Sequence, residues 1–298
     1  MFDQLAFDNM PKYDDFTYWF TRCSDRANIW TAIDKSTASA VTIVDECAED
    51  SKMILDREQI TGDECLTIIR EFNLFRNRPE YLVGKHINVN TISSEEAVNV
   101  YEKLLVGILF MRARKGSVNP DGAFARFQTC LDWLRTTDMY TAPASTQYHE
   151  SFPSGLLFHT LKVYNRAVEL SRLHMFQTVS LDSCVLVSLV HDWCKIGLYE
   201  QYMRNVKNDE TGKWEQVPSY RHKQTGIPLG HGASSMYIAS KFFRLSQEEA
   251  VAIRWHMGAW RVVSSEMDEL QLANENYPLV HLLQFADQLS IVNYINEP

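Results

Sequence analysis

Cys184-Val185-Leu186-Val187-Ser188-Leu189-Val190-His191-Asp192-Trp193-Cys194-Lys195-Ile196-Gly197 is the stretch that decides how the chain is read. From Cys184 to Val190 the only polar side chain is Ser188, so the run belongs to a buried element. Its 3.6-residue pattern and the glycine at 197 predict a helix from Ser180 or Leu181 to Cys194, closed by a glycine C-cap. A His, an Asp and a Lys at the end of a buried element carry a large desolvation cost unless something pairs them. A metal cation held by His191 and Asp192 would do so, and Lys195, one turn after Asp192, would face the same pocket.

The rest of the chain supplies further ligands, each on or beside a separate predicted helix. His159 lies in the first turns of a helix that starts at Ser154 or Gly155 and runs through Leu170. Gly230-His231-Gly232 precedes a helix over Ala233 to Phe243. Ser246-Gln247-Glu248-Glu249 is a capping box opening the helix that carries Trp255-His256, and Gly258 stops it. Pro278 starts a last helix, Leu279 to Ile295, in which Asp287 sits among Leu282, Leu283, Phe285, Ala286 and Leu289 and needs a partner if buried. Each histidine alone reads as a packed core imidazole, and His174 and His281 are expected to be that. The ordered set is the signal, because helical bundles build carboxylate-histidine metal sites from side chains on facing helices.

The remaining sequence bounds the answer. The chain has 298 residues, 45% of them hydrophobic, enough for a sizeable core. A net charge of −9 argues against broad non-specific nucleic-acid binding, which rests on neutralising phosphates. No apolar run of about eighteen residues exists, and Met1-Phe2-Asp3-Gln4 lacks the basic start of a signal peptide. Six cysteines without a Cys-x-x-Cys pair suit a reducing compartment, so a cytoplasmic location away from membranes is expected.

The fold class this predicts is mainly α, with a domain boundary near residue 140, in the Pro-containing connection Met139 to Pro153. Residues 1–140 are expected to be mostly helical, with helices over about 94–115 and 121–137 and a short one from Asp63 to Phe72. Ala40-Val41-Thr42-Ile43-Val44 reads as a short strand or part of a helix. Arg112, Arg114, Lys115 and Arg126 read as a solvated basic helix end. Within residues 141–298, Asn208 to Trp214 is a hairpin-like turn inside an insertion between ligand positions.

The order His159, His191-Asp192, His231, His256, Asp287 resembles the HD superfamily of metal-dependent phosphohydrolases. Gly155-Leu156-Leu157-Phe158-His159-Thr160 is similar to its "GLLxHT" helix, and His191 to Lys195 to its "HDxxK" word. The segment Pro143-Ala144-Ser145 to His149 also looks like the lead-in of HD domains in some exoribonucleases and conjugative-relaxase proteins. The resemblance covers roughly Thr141 to Glu297 and implies an HD-type helical bundle there. It implies that His159, His191, Asp192 and Asp287 hold one metal, and that Asp192 bridges to a second held by His231 and His256. Imidazole and carboxylate ligands suit Fe, Mn, Co, Ni or Zn, so one or two divalent transition metals are expected.

The implied activity is a phosphohydrolase or phosphodiesterase hydrolysing a nucleotide or nucleic-acid phosphoester through a metal-activated water. Asp192 and Lys195 would be catalytic, Lys195 stabilising charge on the phosphoryl group. His149 and Arg221, with Arg204 and Lys223 behind them, are weaker substrate contacts. The partners implied are a small nucleotide or short nucleic-acid substrate, with homo-oligomerisation through the N-terminal region left open. Two other readings stand beside this one: a mixed-valent di-iron oxygenase on the same ligand pattern, and a non-catalytic nucleotide-binding HD protein. One departure is Met257, where several two-metal members carry a second His, which puts the second metal in doubt.

Overall fold

The computed structural model describes residues 16–22, 29–45, 53–56, 61–114, 120–223, 227–260 and 262–292. It is mostly helical, with ten helices and two small antiparallel sheets among the described residues.

The N-terminal region carries the expected helices and, before them, a sheet that the sequence suggested only at Ala40 to Val44. Strands β1 (Tyr18–Arg22), β2 (Ile29–Asp34), β3 (Ala40–Asp45) and β4 (Met53–Asp56) pair antiparallel in chain order. Ala40 to Val44 is therefore a strand. Trp30 lies opposite Ile43 and Ala32 opposite Val41, and all four are buried. Period-two alternation puts them on one face. That face, with Phe20 of β1, packs on Ile68, Phe72 and Phe75 of helix α1 (Gly62–Phe75), whose first turn is closed by a Thr61–Glu64 capping box. Strands of four to six residues are too short for the alternation to stand out in sequence.

The other nine helices are α2 (Pro79–Leu82), α3 (Ser94–Arg114), α4 (Pro120–Thr136), α5 (Gly155–Leu170), α6 (Leu181–Val190), α7 (His231–Ser240), α8 (Gln247–Trp255), α9 (Met267–Asn276) and α10 (Pro278–Ser290). They share one continuous apolar core that runs from Val83 to Ala286. The core does not divide at residue 140, since Leu104, Leu105 and Leu134 lie in the same cluster as Leu161 and Val187. The two cores part near residue 82, and polar groups clamp the junction. The Tyr164 hydroxyl accepts from the Gly84 N–H at 2.9 Å, and the Asn165 side chain accepts from the Ile87 N–H and donates to its carbonyl.

Three further differences bear on the site. Helix α6 ends at Val190, short of Cys194, and Trp193–Lys195 forms a 3₁₀ turn before Gly197 (φ +71°). The cause is tertiary: the Cys194 N–H bonds the Ser235 hydroxyl at 3.0 Å instead of continuing the helix, and the Trp193 indole donates to Tyr101. The insertion is a full hairpin, β5 (Tyr199–Lys207) with β6 (Trp214–His222), nine residues a side. The last helix stops at Ser290, and the residues beyond 292 in the expected Leu279 to Ile295 helix lie outside the described set, as do Cys23, Cys47 and Lys115. Helix α9 had no counterpart in the sequence reading, because only Leu270 and Ala273 of its ten residues are buried. Among the described residues no helix is long and apolar enough to cross a membrane.

Candidate metal centre

Five helices deliver the ligands. His159 enters one turn into α5, where the loop 141–155 packs directly on the helix start. A Cβ at Gly155 would stand 2.9 Å from the Glu150 carbonyl carbon and 3.1 Å from the Ala144 nitrogen, so this approach needs glycine. His191 is the C-cap of α6 and His256 the C-cap of α8. His231 opens α7, and Gly232 lets that helix start lie against the Ile253 and Arg254 carbonyls of α8. Asp287 projects from α10.

These groups meet at Asp192. Its carboxylate receives Lys195 Nζ at 2.7 Å and lies 2.8 Å from His231 Nε2. The Nε2 atoms of His159 and His191 stand 3.4 Å from its Oδ2, and that of His256 3.7 Å from its Oδ1. Asp287 joins through His159, Oδ1 to Nε2 at 3.2 Å. Two compact triplets result, His159–His191–Asp192 and Asp192–His231–His256, with Asp192 common to both.

The ring tautomers set which nitrogens face Asp192. His191 Nδ1 is 2.8 Å from the Ser188 carbonyl, and His256 Nδ1 is 2.8 Å from the Ile253 carbonyl. A carbonyl only accepts, so each Nδ1 carries the proton and a neutral ring turns a lone pair at Nε2 toward Asp192. The Nε2 atoms of His159, His191 and His256 are buried and make no hydrogen bond. For His191 and His256, whose Nδ1 is the protonated nitrogen, lone pairs aimed at a carboxylate inside a protein are repulsive unless a cation stands between them. Ring nitrogens fixed by outer hydrogen bonds are also the usual companions of metal ligation. The buried set His159, His191, Asp192, His231 and His256 can therefore hold a metal ion.

The electrostatics agree. Burial alone would raise the Asp192 carboxyl, but Lys195 and the imidazoles around it hold it well below the usual range. Burial would lower the His159 imidazole, yet the facing carboxylates of Asp192 and Asp287 push it up to about 9. Lys195 is likewise raised against its burial by Asp192, so it stays an ammonium. The site is rich in negative charge that calls for cations.

The six sequence-proposed ligands and Lys195 all converge here. His149 also arrives, half-buried, its ring 4.9 Å from that of His159. Arg221 does not: it is exposed, paired with Glu200 at 2.6 Å, and it lines with Arg204 a different cavity of about 420 Å³ on the hairpin. His281 bonds the Asn274 carbonyl, the structural role expected of it. Met257 is half-buried and lines a cavity beside His231.

Three neighbours escaped the sequence reading. Glu150 is held by Lys162 at 2.7 Å, and its buried, unpartnered Oε2 points to His159 Nδ1 at 3.8 Å. Ser290 donates to the Asp287 carbonyl, which leaves its oxygen 3.4 Å from the same Nδ1. Cys194 Sγ lies 3.2 Å from His231 Nδ1, its thiol pushed up to about 12 by burial and by Asp192. Ser290, three residues after Asp287, was the one with a readable signal, a shared helix face. Comparison with family models, curated proteins and solved structures finds no match to this chain.

Proposed function

We propose that the chain is a metal-dependent phosphohydrolase or phosphodiesterase with an HD-type bundle, acting on a nucleotide or nucleic-acid phosphoester. The observation that carries this is the convergence of three buried, unpartnered Nε2 atoms on one carboxylate, with a buried ammonium beside it. His159, His191, Asp192 and Asp287 would hold one divalent transition metal, and Asp192, His231 and His256 a second. The metals would supply Lewis-acid polarisation of the phosphoryl oxygen and a nucleophilic water at neutral pH.

The chain's own residues do the rest. Lys195, fixed beside the Asp192 carboxylate and kept charged, would stabilise the oxygens on which charge develops. Its position is set before substrate arrives, so no reorganisation is needed when the phosphoryl group reacts. His149, whose imidazole burial lowers and so favours neutral, lies at the edge of the site, where it can accept a hydrogen bond from a substrate hydroxyl or water. Four of the ligating side chains are buried and exclude bulk water from that flank.

The test is elemental analysis of anaerobically purified protein, wild type beside Asp192→Ala, followed by a screen of nucleotides, cyclic nucleotides and short oligonucleotides. About two equivalents of metal, lost in the variant together with turnover, is the expected result. Protein that takes up no metal even after reconstitution would overturn the proposal.

A further inference from the structure

The centre is not equally closed on all sides. Side-chain exposure is 1% or less for His159, His191 and His256, but 33% for His231. On that open side lies a cavity of about 340 Å³ walled by His231, Met257, Leu229, Trp255 and Trp260. Trp260 is 69% exposed and Leu229 50%, so a broad apolar surface stands uncovered next to a ligating histidine. Apolar walls with a few placed polar groups are the usual make-up of a small-molecule site.

The polar groups of this cavity say what it takes. Among the described residues that line it, the Lys or Arg is Arg254, which is bonded to Glu266 at 2.6 Å and lies 4.0 Å over the Trp255 ring. That pair is neutral overall. It does present donors and acceptors side by side, which is the complement of a base edge. Met257 adds a soft, polarisable side chain to the cavity wall, suited to contact an aromatic ring.

We propose that this cavity is a subsite for the flat aromatic ring of the substrate, a nucleobase, with Trp260 as its stacking face and Met257 as its floor. The inference rests on the phosphoester reading only for the direction of the substrate: phosphoryl group at Asp192 and Lys195, base beyond His231. Trp260 is then a specificity-determining residue.

The experiment uses adenosine, adenosine 5′-monophosphate and ribose 5-phosphate on full-length protein, with and without Mn²⁺. Binding is read by tryptophan fluorescence and saturation-transfer NMR for wild type, Trp260→Ala and Trp260→Phe. Trp260 is exposed, so neither variant disturbs a core. Adenosine should bind the wild type with or without Mn²⁺. Its affinity should fall about 5- to 150-fold in Trp260→Ala, the equivalent of about 1–3 kcal/mol of base stacking, and largely recover in Trp260→Phe. Ribose 5-phosphate should not distinguish the three proteins. Adenosine that fails to bind, or binds Trp260→Ala as well as wild type, overturns the subsite, even where Mn²⁺ tightens the monophosphate and the phosphoester reading holds. Adenosine that depends on Trp260 while Mn²⁺ adds nothing to the monophosphate upholds the subsite and removes the phosphoester reading.

Discussion

Gly232→Ala tests whether the two halves of the centre are joined as described. Gly232 follows His231 in the first turn of α7, where the backbone lies against the end of α8. A Cβ there would stand 2.7 Å from the Arg254 carbonyl carbon, 2.8 Å from the Ile253 carbonyl oxygen, and closer still to the Arg254 oxygen. Ordinary contact needs about 3.5 Å, so the helix start must retreat by roughly 1 Å. The neighbours are backbone atoms in a helix and cannot rotate away. Overpacking of this kind costs about 1–3 kcal/mol, which for a chain of this size lowers Tm by roughly 2–5 °C. The same retreat carries His231 away from Asp192, now at 2.8 Å. A ligand constellation tolerates about 0.5 Å. Metal affinity of the Asp192–His231–His256 set should therefore fall about 10- to 100-fold, as for loss of a supporting contact. Differential scanning calorimetry and chelator competition read the two effects on one sample. A variant with wild-type Tm and unchanged metal affinity would refute the packing of α7 on α8 and the convergence built on it.

Three other outcomes follow from the geometry. Glu150→Gln removes the charge facing His159 Nδ1, so chelator competition should show metal affinity about 10- to 100-fold weaker, while far-ultraviolet circular dichroism stays unchanged. Lys195→Gln should keep its metal, because no ligand is lost, but lower kcat by about 10²–10³ in steady-state kinetics on any substrate found. Asp34, in the exposed turn between β2 and β3, accepts from the Ser36 hydroxyl and the Thr37 and Ser36 N–H groups, which hold its carboxyl down to about 2. A folded value below the unfolded one gives stability that is present above about pH 3.9 and lost as pH falls through 2. Carboxyl-carbon NMR titration should place Asp34 near that value, and an ordinary carboxylate value would dismiss the turn.

The clustered histidines and aspartates were legible because buried charge is rare and therefore conspicuous. His191-Asp192 after seven nearly apolar residues, and Asp287 inside an apolar helix, each demand a partner. The N-terminal sheet was not legible, since Trp19, Ile29 and Ile33 put apolar side chains on the second face of β1 and β2 as well, and strands this short set no period against that background. Glu150 was hidden for a different reason. It sits in a loop, where a charged residue is unremarkable, and only the fold of residues 141–155 onto α5 turns it toward His159. The end of α6 was misplaced because the Ser235 hydroxyl that captures the Cys194 N–H is forty-one residues away in sequence.

That early end of α6 is what aims His191. Both His191 and His256 are helix C-caps, and both bond Nδ1 to the carbonyl three residues back, Ser188 and Ile253. The last carbonyls of a helix have no intrahelical donor, so a histidine at this position can satisfy one with its own ring. Doing so fixes the tautomer and swings Nε2 off the helix end, toward Asp192 in both cases. Each helix end also carries about half a negative charge, which favours a cation nearby. A longer α6, continuous to Cys194, would bury the Ser188 carbonyl in the helix ladder and take the proton-fixing bond from His191. Two helices, each ended by the histidine that caps it, thus yield two oriented nitrogen donors and a favourable field without any further device.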